Sequence, residues 1–296
     1  MGVIGDLLAV VAPVFICVGI GLLWAKLKKP FDTDIITSLV YNVGAPCLIV
    51  ATFAKVKIST AALAEIALAG TLCYAAFAVV GAAVLRAGRL SIADYLPSLM
   101  FPLTGSMGLS VCLFALGDPG LALALIYFML GTLGTFTVGN ALAAGRISLK
   151  EIARTPAIYA VFVAVYMVAD EAQLPQWIVN TTSLLGGIVI PMQLIALGRS
   201  LMQLRVAGVG RSAALGLLRL AMGVTVGWGV AAALGLEGAA RAVVILQSAM
   251  PVAVSSYLFA QLYGRKPEEV AGMVLVSTVV SFLTLPVLLY FVLHAG

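Results

Sequence analysis

The sequence predicts an all-α membrane protein of ten transmembrane helices, built as two inverted five-helix repeats in which broken helices 4 and 9 cross. Three observations carry this expectation. Hydrophobic residues make up 62% of the 296 positions and charged residues only 10%, against roughly 25% charged in an ordinary soluble domain. A core of this length cannot hide so much apolar surface from water, so lipid must solvate it. Basic residues gather in alternate loops, and landmarks recur at half the chain length.

A spanning helix needs ~20 apolar residues. The expected spans cover about 6–25, 33–54, 60–86, 94–117, 119–144, 156–170, 176–203, 211–235, 239–263 and 268–293. The first is not expected to be a cleavable signal, because signal peptides carry positive charge before the apolar run. Here Asp6 precedes the run, and Lys26, Lys28 and Lys29 follow it. The longest connection, at about 145–155, holds Ser148 and Glu151 at capping-box spacing. It reads as a short amphipathic lead-in between two halves, giving a first repeat at 1–145, a linker at 146–155 and a second repeat at 156–296.

Cytoplasmic loops carry the excess of Lys and Arg. One set of alternate loops holds Lys26, Lys28, Lys29, Arg86, Arg89, Arg146, Lys150, Arg154, Arg199, Arg205, Arg211, Arg265 and Lys266, and the other only Lys55, Lys57 and Arg241. Thirteen against three places both termini in the periplasm of a bacterial inner membrane and the linker in the cytoplasm. Arg219 falls inside the eighth span. It is expected to snorkel to the cytoplasmic face, with a role as substrate counter-ion as the alternative.

Pro13 and Pro156 lie 143 residues apart. Pro46 and Pro191 lie 145 apart, as do Leu113-Phe114-Ala115 and Leu258-Phe259-Ala260. Each half then holds five helices. Five is odd, so the second half enters the membrane from the opposite side. Inverted repeats of this kind are common in secondary transporters, whose sites lie at the midplane between repeats, on broken helices.

The breaks are expected at Pro102-Leu103-Thr104-Gly105-Ser106-Met107-Gly108-Leu109-Ser110 and at Gln247-Ser248-Ala249-Met250-Pro251-Val252-Ala253-Val254-Ser255-Ser256. Proline removes a backbone donor and clashes with the preceding turn. The freed backbone groups must face protein or water, and half-helix N-termini there can hold an anion. One such segment alone reads equally well as a kink filled by hydroxyls. Two at equivalent repeat positions favour a crossover site. The candidate binding residues are Thr104, Ser106, Ser110, Gln247, Ser248, Ser255 and Ser256. Asn42, one turn before Pro46, and Gln193, just after Pro191, either line the site or bond a neighbouring helix. Under the 145-residue shift Ser110 falls on Ser255, so both are expected at the same midplane point.

Every Asp and Glu falls in a loop or near a span end, so no midplane carboxylate is available for a cation/proton antiporter. The single histidine, His294, belongs to the tail. Cys17, Cys47, Cys73 and Cys112 lie in apolar runs without a CxxC pair and read as small packing residues. There is no HExxH, no paired intramembrane aspartate, no serine with a base at recognisable spacing, no dinucleotide fingerprint and no P-loop. Neither an enzyme nor an ATP-driven pump is expected. No cofactor, metal or nucleic acid is expected either.

At these breaks the chain resembles the auxin efflux carrier family, within the bile acid/arsenite/riboflavin-type transporter superfamily. The resemblance is sharpest in Ala249-Met250-Pro251-x-Ala253-Val254, Tyr263-Gly264, Ser277-Thr278 and Leu283-Thr284-Leu285-Pro286. It extends to Pro191-Met192-x-Leu194-x-Ala196-Leu197-Gly198 and Asn42-x-x-x-Pro46. It implies a scaffold of spans 1, 2, 6 and 7, and a transport domain of spans 3–5 and 8–10 that holds a carboxylate near the crossing. The chain departs from the family at Leu103 and Ser106, where asparagines are usual, at Ser110, where proline is, and at Ser255, often asparagine.

The expected function is secondary transport of a small organic anion, a carboxylate, by alternating access in the lipid bilayer. Sodium or a proton is the candidate coupling ion, and a homodimer is left open. A sodium-coupled bile-acid-type symporter is the alternative, followed by a passive channel and a membrane sensor.

Overall fold

A computed structural model describes residues 3–56, 59–139, 141–142, 159, 163, 166 and 174–294. The described residues are helical, with one isolated backbone bridge and no strand. The helices are α1 (Val3–Lys26), α2 (Thr33–Leu39), α3 (Ala45–Lys55), α4 (Thr60–Ala87), α5 (Ile92–Met100) and α6 (Leu109–Gly134), then α7 (Gln176–Gly186), α8 (Val189–Gln203), α9 (Val209–Ala233), α10 (Gly238–Ser248), α11 (Val254–Leu262) and α12 (Pro267–His294). Among the described residues seven stretches are long and apolar enough to cross a membrane. The expected linker at 146–155 lies outside the described residues. So does the sixth span at 156–170 with its Pro156, apart from the single positions Tyr159, Val163 and Tyr166.

Three of the seven stretches contain interruptions with identifiable causes. Pro46 has no N–H to give the carbonyl four residues back, at Asn42. The chain answers with a π-helical turn over Val40–Gly44, in which the N–H of Ala45 reaches Val40 O, one residue further back. Pro191 is tolerated because it is the third residue of α8, where backbone donors lack intrahelical partners anyway.

The stretch Thr104–Gly139 has 36 residues. Straight, it would run ~54 Å, well beyond the ~30 Å hydrocarbon core. It is not straight. Gly117 adopts φ 69°, ψ −162° inside α6, a conformation open to glycine alone at little cost. Beyond it the chain returns beside itself: Gly105 faces Phe128, Thr104 faces Gly131, and Phe101 faces Gly134. These pairs all centre near residue 117. The expected boundary between spans 4 and 5 therefore falls at the apex of a helical hairpin.

α1 and α8 meet backbone to backbone. A Cβ on Gly21 would strike the carbonyl of Ile195, and one on Gly198 the carbonyl of Val18. Small residues permit this approach, which is how membrane helices gain dispersion contact without a hydrophobic driving force.

Candidate functional site

Both expected breaks are present, and they touch. α5 ends at Met100 and α10 at Ser248; the helical path resumes at Thr104 and at Val254. Between them Pro102 and Val252 form an antiparallel bridge. Leu103 N donates to Pro251 O at 2.7 Å, and Ala253 N donates to Phe101 O at 3.2 Å. An unsatisfied backbone group in a membrane costs several kcal/mol, and each broken segment supplies what the other has lost. Val252 N is taken up by Ser277 Oγ at 3.1 Å.

Beside this crossing lies a cavity of about 610 Å³, within the range of small-molecule sites. The first turns after both breaks line it, through Thr104, Gly105 and Ser106 on one side and Ala253, Val254 and Ser255 on the other. The leading N–H groups of a helix lack intrahelical acceptors and carry the positive end of its dipole. Ser106 Oγ and Gln193 Nε2 are buried without a partner. Gly105 leaves the space in which the Gln193 amide and the Phe128 ring meet. Tyr41, Phe101, Leu197, Leu258 and Phe259 give the cavity an apolar wall. None of the described residues that line it is charged.

Of the nine candidates from the sequence, Thr104, Ser106, Ser255, Asn42 and Gln193 line this cavity. Asn42 also donates to Ser38 Oγ at 3.0 Å. Ser110, Gln247, Ser248 and Ser256 are buried but do not line it. The hydroxyl of Ser110 turns back on its own helix, to Ser106 O at 2.7 Å and Met107 O at 2.9 Å. Gln247 Nε2 donates to Ala124 O at 3.3 Å, and Ser248 Oγ shares a 2.8 Å bond with Tyr127 Oη. Ser110 and Ser255 thus differ in surroundings despite their equivalent spacing.

Ser38, Thr132, Thr135 and Ser200 also line the cavity and were not among the candidates. Helical spacing from a flagged residue would have found two of them. Gln193, Ala196, Leu197 and Ser200 form one i, i+3, i+4, i+7 face, and Ser38 lies one turn before Asn42.

The expectation that Arg219 snorkels is overturned. It sits ten residues into α9 with no exposed surface, so its guanidinium is enclosed by protein and does not extend to the surface. Nη2 donates to Ser248 O, the last carbonyl of α10, at 2.9 Å. The guanidinium lies 4.4 Å from the Phe77 ring centroid. Gly223, one turn further along α9, lies against the carbonyl of Ser248, and Gly227 lies against its side chain. An arginine at a helix centre in the bilayer costs ~2.5–3.5 kcal/mol on insertion scales. The break in α10 supplies a compensating acceptor, and Phe77 a cation–π contact.

At the helix ends, charges pair instead. Glu269 at the start of α12 accepts from Tyr95 Oη at 2.6 Å and pairs with Arg211 at 3.3 Å and Lys266 at 3.7 Å. Asp94 pairs with Arg265 at 3.8 Å. Among the described residues no carboxylate is fully buried, and no group of His, Cys, Asp and Glu could hold a metal ion.

A family described as "Membrane transport protein" matches residues 140–289, just over half of the chain. The chain belongs to the auxin efflux carrier family of membrane transport proteins. Another protein of this kind, "Probable auxin efflux carrier component 5b" of Oryza sativa subsp. japonica, is 30% identical over 156 residues. That match covers 49% of this chain and 41% of the rice protein. Family membership and the apolar helices make the chain a multi-pass membrane protein.

Proposed function

We propose that this chain is a secondary transporter that carries a small organic anion, a carboxylate, by alternating access. One observation supports the reading above the others. Two helix N-termini, the unpaired Ser106 hydroxyl and the unpaired Gln193 Nε2 converge on a cavity with no charged residue among its described lining. Hydrogen bonds to a charged group are each worth roughly 1.5–3 kcal/mol, so a few such donors hold a carboxylate without a counter-ion. The apolar wall takes the carbon skeleton.

In this reading Thr104, Ser106, Ser255, Asn42 and Gln193 contact the substrate. Ser110, Gln247, Ser248 and Ser256 hold the crossing in shape from behind. The two halves, 1–145 and 156–296, are inverted repeats joined by a cytoplasmic linker, with both termini in the periplasm of a bacterial inner membrane. Thr37 and Ser200, which line the cavity, lie toward the end of the molecule where Arg199 donates to Lys29 O. By the charge rule that end is cytoplasmic, so this conformation faces inward. Transport is either uncoupled or ion-coupled without an essential midplane carboxylate.

The experiment is a thermal-shift screen of carboxylates against the purified protein, with and without sodium, followed by uptake in liposomes. Saturable uptake with counterflow of the stabilising carboxylate is the expected result. Unsaturable current would make the chain a channel, and binding without uptake a sensor. Stabilisation by no carboxylate would overturn the anion reading. A cysteine at position 148 (Ser148→Cys) labelled from the periplasm would overturn the orientation.

A further inference from the structure

Arg219 is the one charged residue among the described ones whose side chain is fully buried. Its placement is specific. It bonds the last carbonyl of α10, at 2.9 Å, on the opposite side of the second break from Ser255. That carbonyl belongs to the C-terminal end of a half-helix, where unpaired C=O groups and the helix dipole concentrate negative potential. Among the described residues no carboxylate pairs with the guanidinium. The described acids are at helix ends or in loops: Asp32, Glu65, Asp94, Asp118, Glu237, Glu268 and Glu269. Nε and Nη1 of Arg219 have no hydrogen-bond partner. The groups around it are neutral: the Phe77 ring beneath it, the Tyr127 hydroxyl on Ser248 Oγ, and Tyr74, whose buried hydroxyl is also unpartnered. This is a positive charge fixed at a helix break in the protein interior.

Discontinuous helices in transporters often use such C-terminal ends and unwound carbonyls to coordinate sodium or a proton. Here the broken end of α10 already holds a cation that is part of the chain and is always charged. We propose that Arg219 is a built-in cation of the crossing, standing where a sodium ion would sit at the end of α10, so that this carrier needs no sodium to assemble its anion site. The inference rests on the anion-carrier reading above and deepens it. Arg219 does not line the cavity. It is a positioning residue, acting through the carbonyl of Ser248 and the geometry of the break.

The test uses the full-length protein in detergent and needs no transported anion. Binding of radioactive sodium ion is measured directly, and thermal unfolding is compared in sodium and potassium chloride at equal ionic strength. Wild type is expected to show no saturable sodium binding and equal unfolding midpoints in the two salts. Arg219→Ala is expected to unfold at a lower temperature, with the loss reversed by methylguanidinium and, more weakly, by sodium over potassium. Sodium-selective stabilisation distinguishes a vacated cation position from a merely lost packing contact. Saturable sodium binding by wild type overturns the proposal, and so does an Arg219→Ala protein indifferent to both ions. If Arg219→Ala does not fold, the wild-type measurement still decides. Arg219→Lys then supplies the second arm. Its ammonium keeps the charge, and it is expected to fold without sodium-selective stabilisation; a gain of such stabilisation would overturn the proposal. Failure of every carboxylate to stabilise wild type is a separate result, and would strike the anion reading instead.

Discussion

The two breaks at the crossing have unlike surroundings. After the first, the chain from Phe101 to Ser106 lies along the cavity, and Ser106 Oγ is left without a protein partner. The second is braced from behind, by Arg219 on Ser248 O and by Ser277 on Val252 N, and of the segment from Ser248 to Ser256 just Ala253, Val254 and Ser255 line the cavity. One break opens along the cavity and the other is held mostly by protein. The difference shows that two crossing breaks can divide labour, one leaving a donor free and the other supplying rigidity.

Glycine substitutions at the two breaks give the sharpest test. A Cβ on Gly223 would drive into the backbone of Ser248 and Ala249, which cannot yield without moving the crossing. Gly223→Leu is expected to cost about 3 kcal/mol or more, read as loss of monodisperse protein on size exclusion. At Gly105 the obstructing atoms belong to the Phe128 and Gln193 side chains. Gly105→Ala is therefore expected to fold and to lose affinity for the stabilising carboxylate. Equal loss of folding at both sites would erase the contrast.

Leucine at the paired serines separates the breaks again. Ser255→Leu fills the cavity and is expected to abolish carboxylate binding while sparing the unfolding midpoint. Ser110→Leu overpacks a closed position and is expected to cost about 1–3 kcal/mol of stability, with binding retained in the protein that folds. Titration and thermal unfolding of both variants check this. Reversed results would mean that Ser110 is the one facing ligand.

Smaller effects refine the picture. Gln193→Leu removes one hydrogen bond to a charged group, about 1.5 kcal/mol at the low end, or roughly a tenfold weaker binding constant by isothermal titration. Ser277→Ala leaves the Val252 N–H without its acceptor and is expected to destabilise by about 1 kcal/mol, with binding unchanged. A binding defect in Ser277→Ala would mean that the brace also shapes the cavity.

The positions of the breaks were legible because proline and glycine act on the backbone locally, whatever surrounds them. Pro102, Pro251 and Gly117 each disturb the helix at or near their own position. The direction of a hydroxyl was less legible. Ser110 and Ser255 share spacing and residue type, yet Ser110 finds carbonyls on its preceding turn while Ser255 begins a new helix, with no preceding turn to bond. Arg219 was misjudged for a related reason. Its depth in the eighth span could be counted, but its partner, a carbonyl freed 29 residues later, appears only once α9 and α10 are packed together. Eight of the expected spans appear as long apolar stretches or parts of them because hydropathy is additive along a helix, whereas α10 and α11, at 11 and 9 residues, are too short to register singly.

The hydrogen bonds that tie Phe101 and Leu103 to Pro251 and Ala253 run entirely between main-chain atoms. They do not ask what side chains those residues carry. The scaffold of the crossing is thus insulated from the alphabet written on it. Leu103, Ser106 and Ser255 can each be exchanged for an amide, a hydroxyl or an aliphatic group while the two segments stay joined. A lineage with this architecture is free to explore new cargoes one substitution at a time, with the machinery intact at every step.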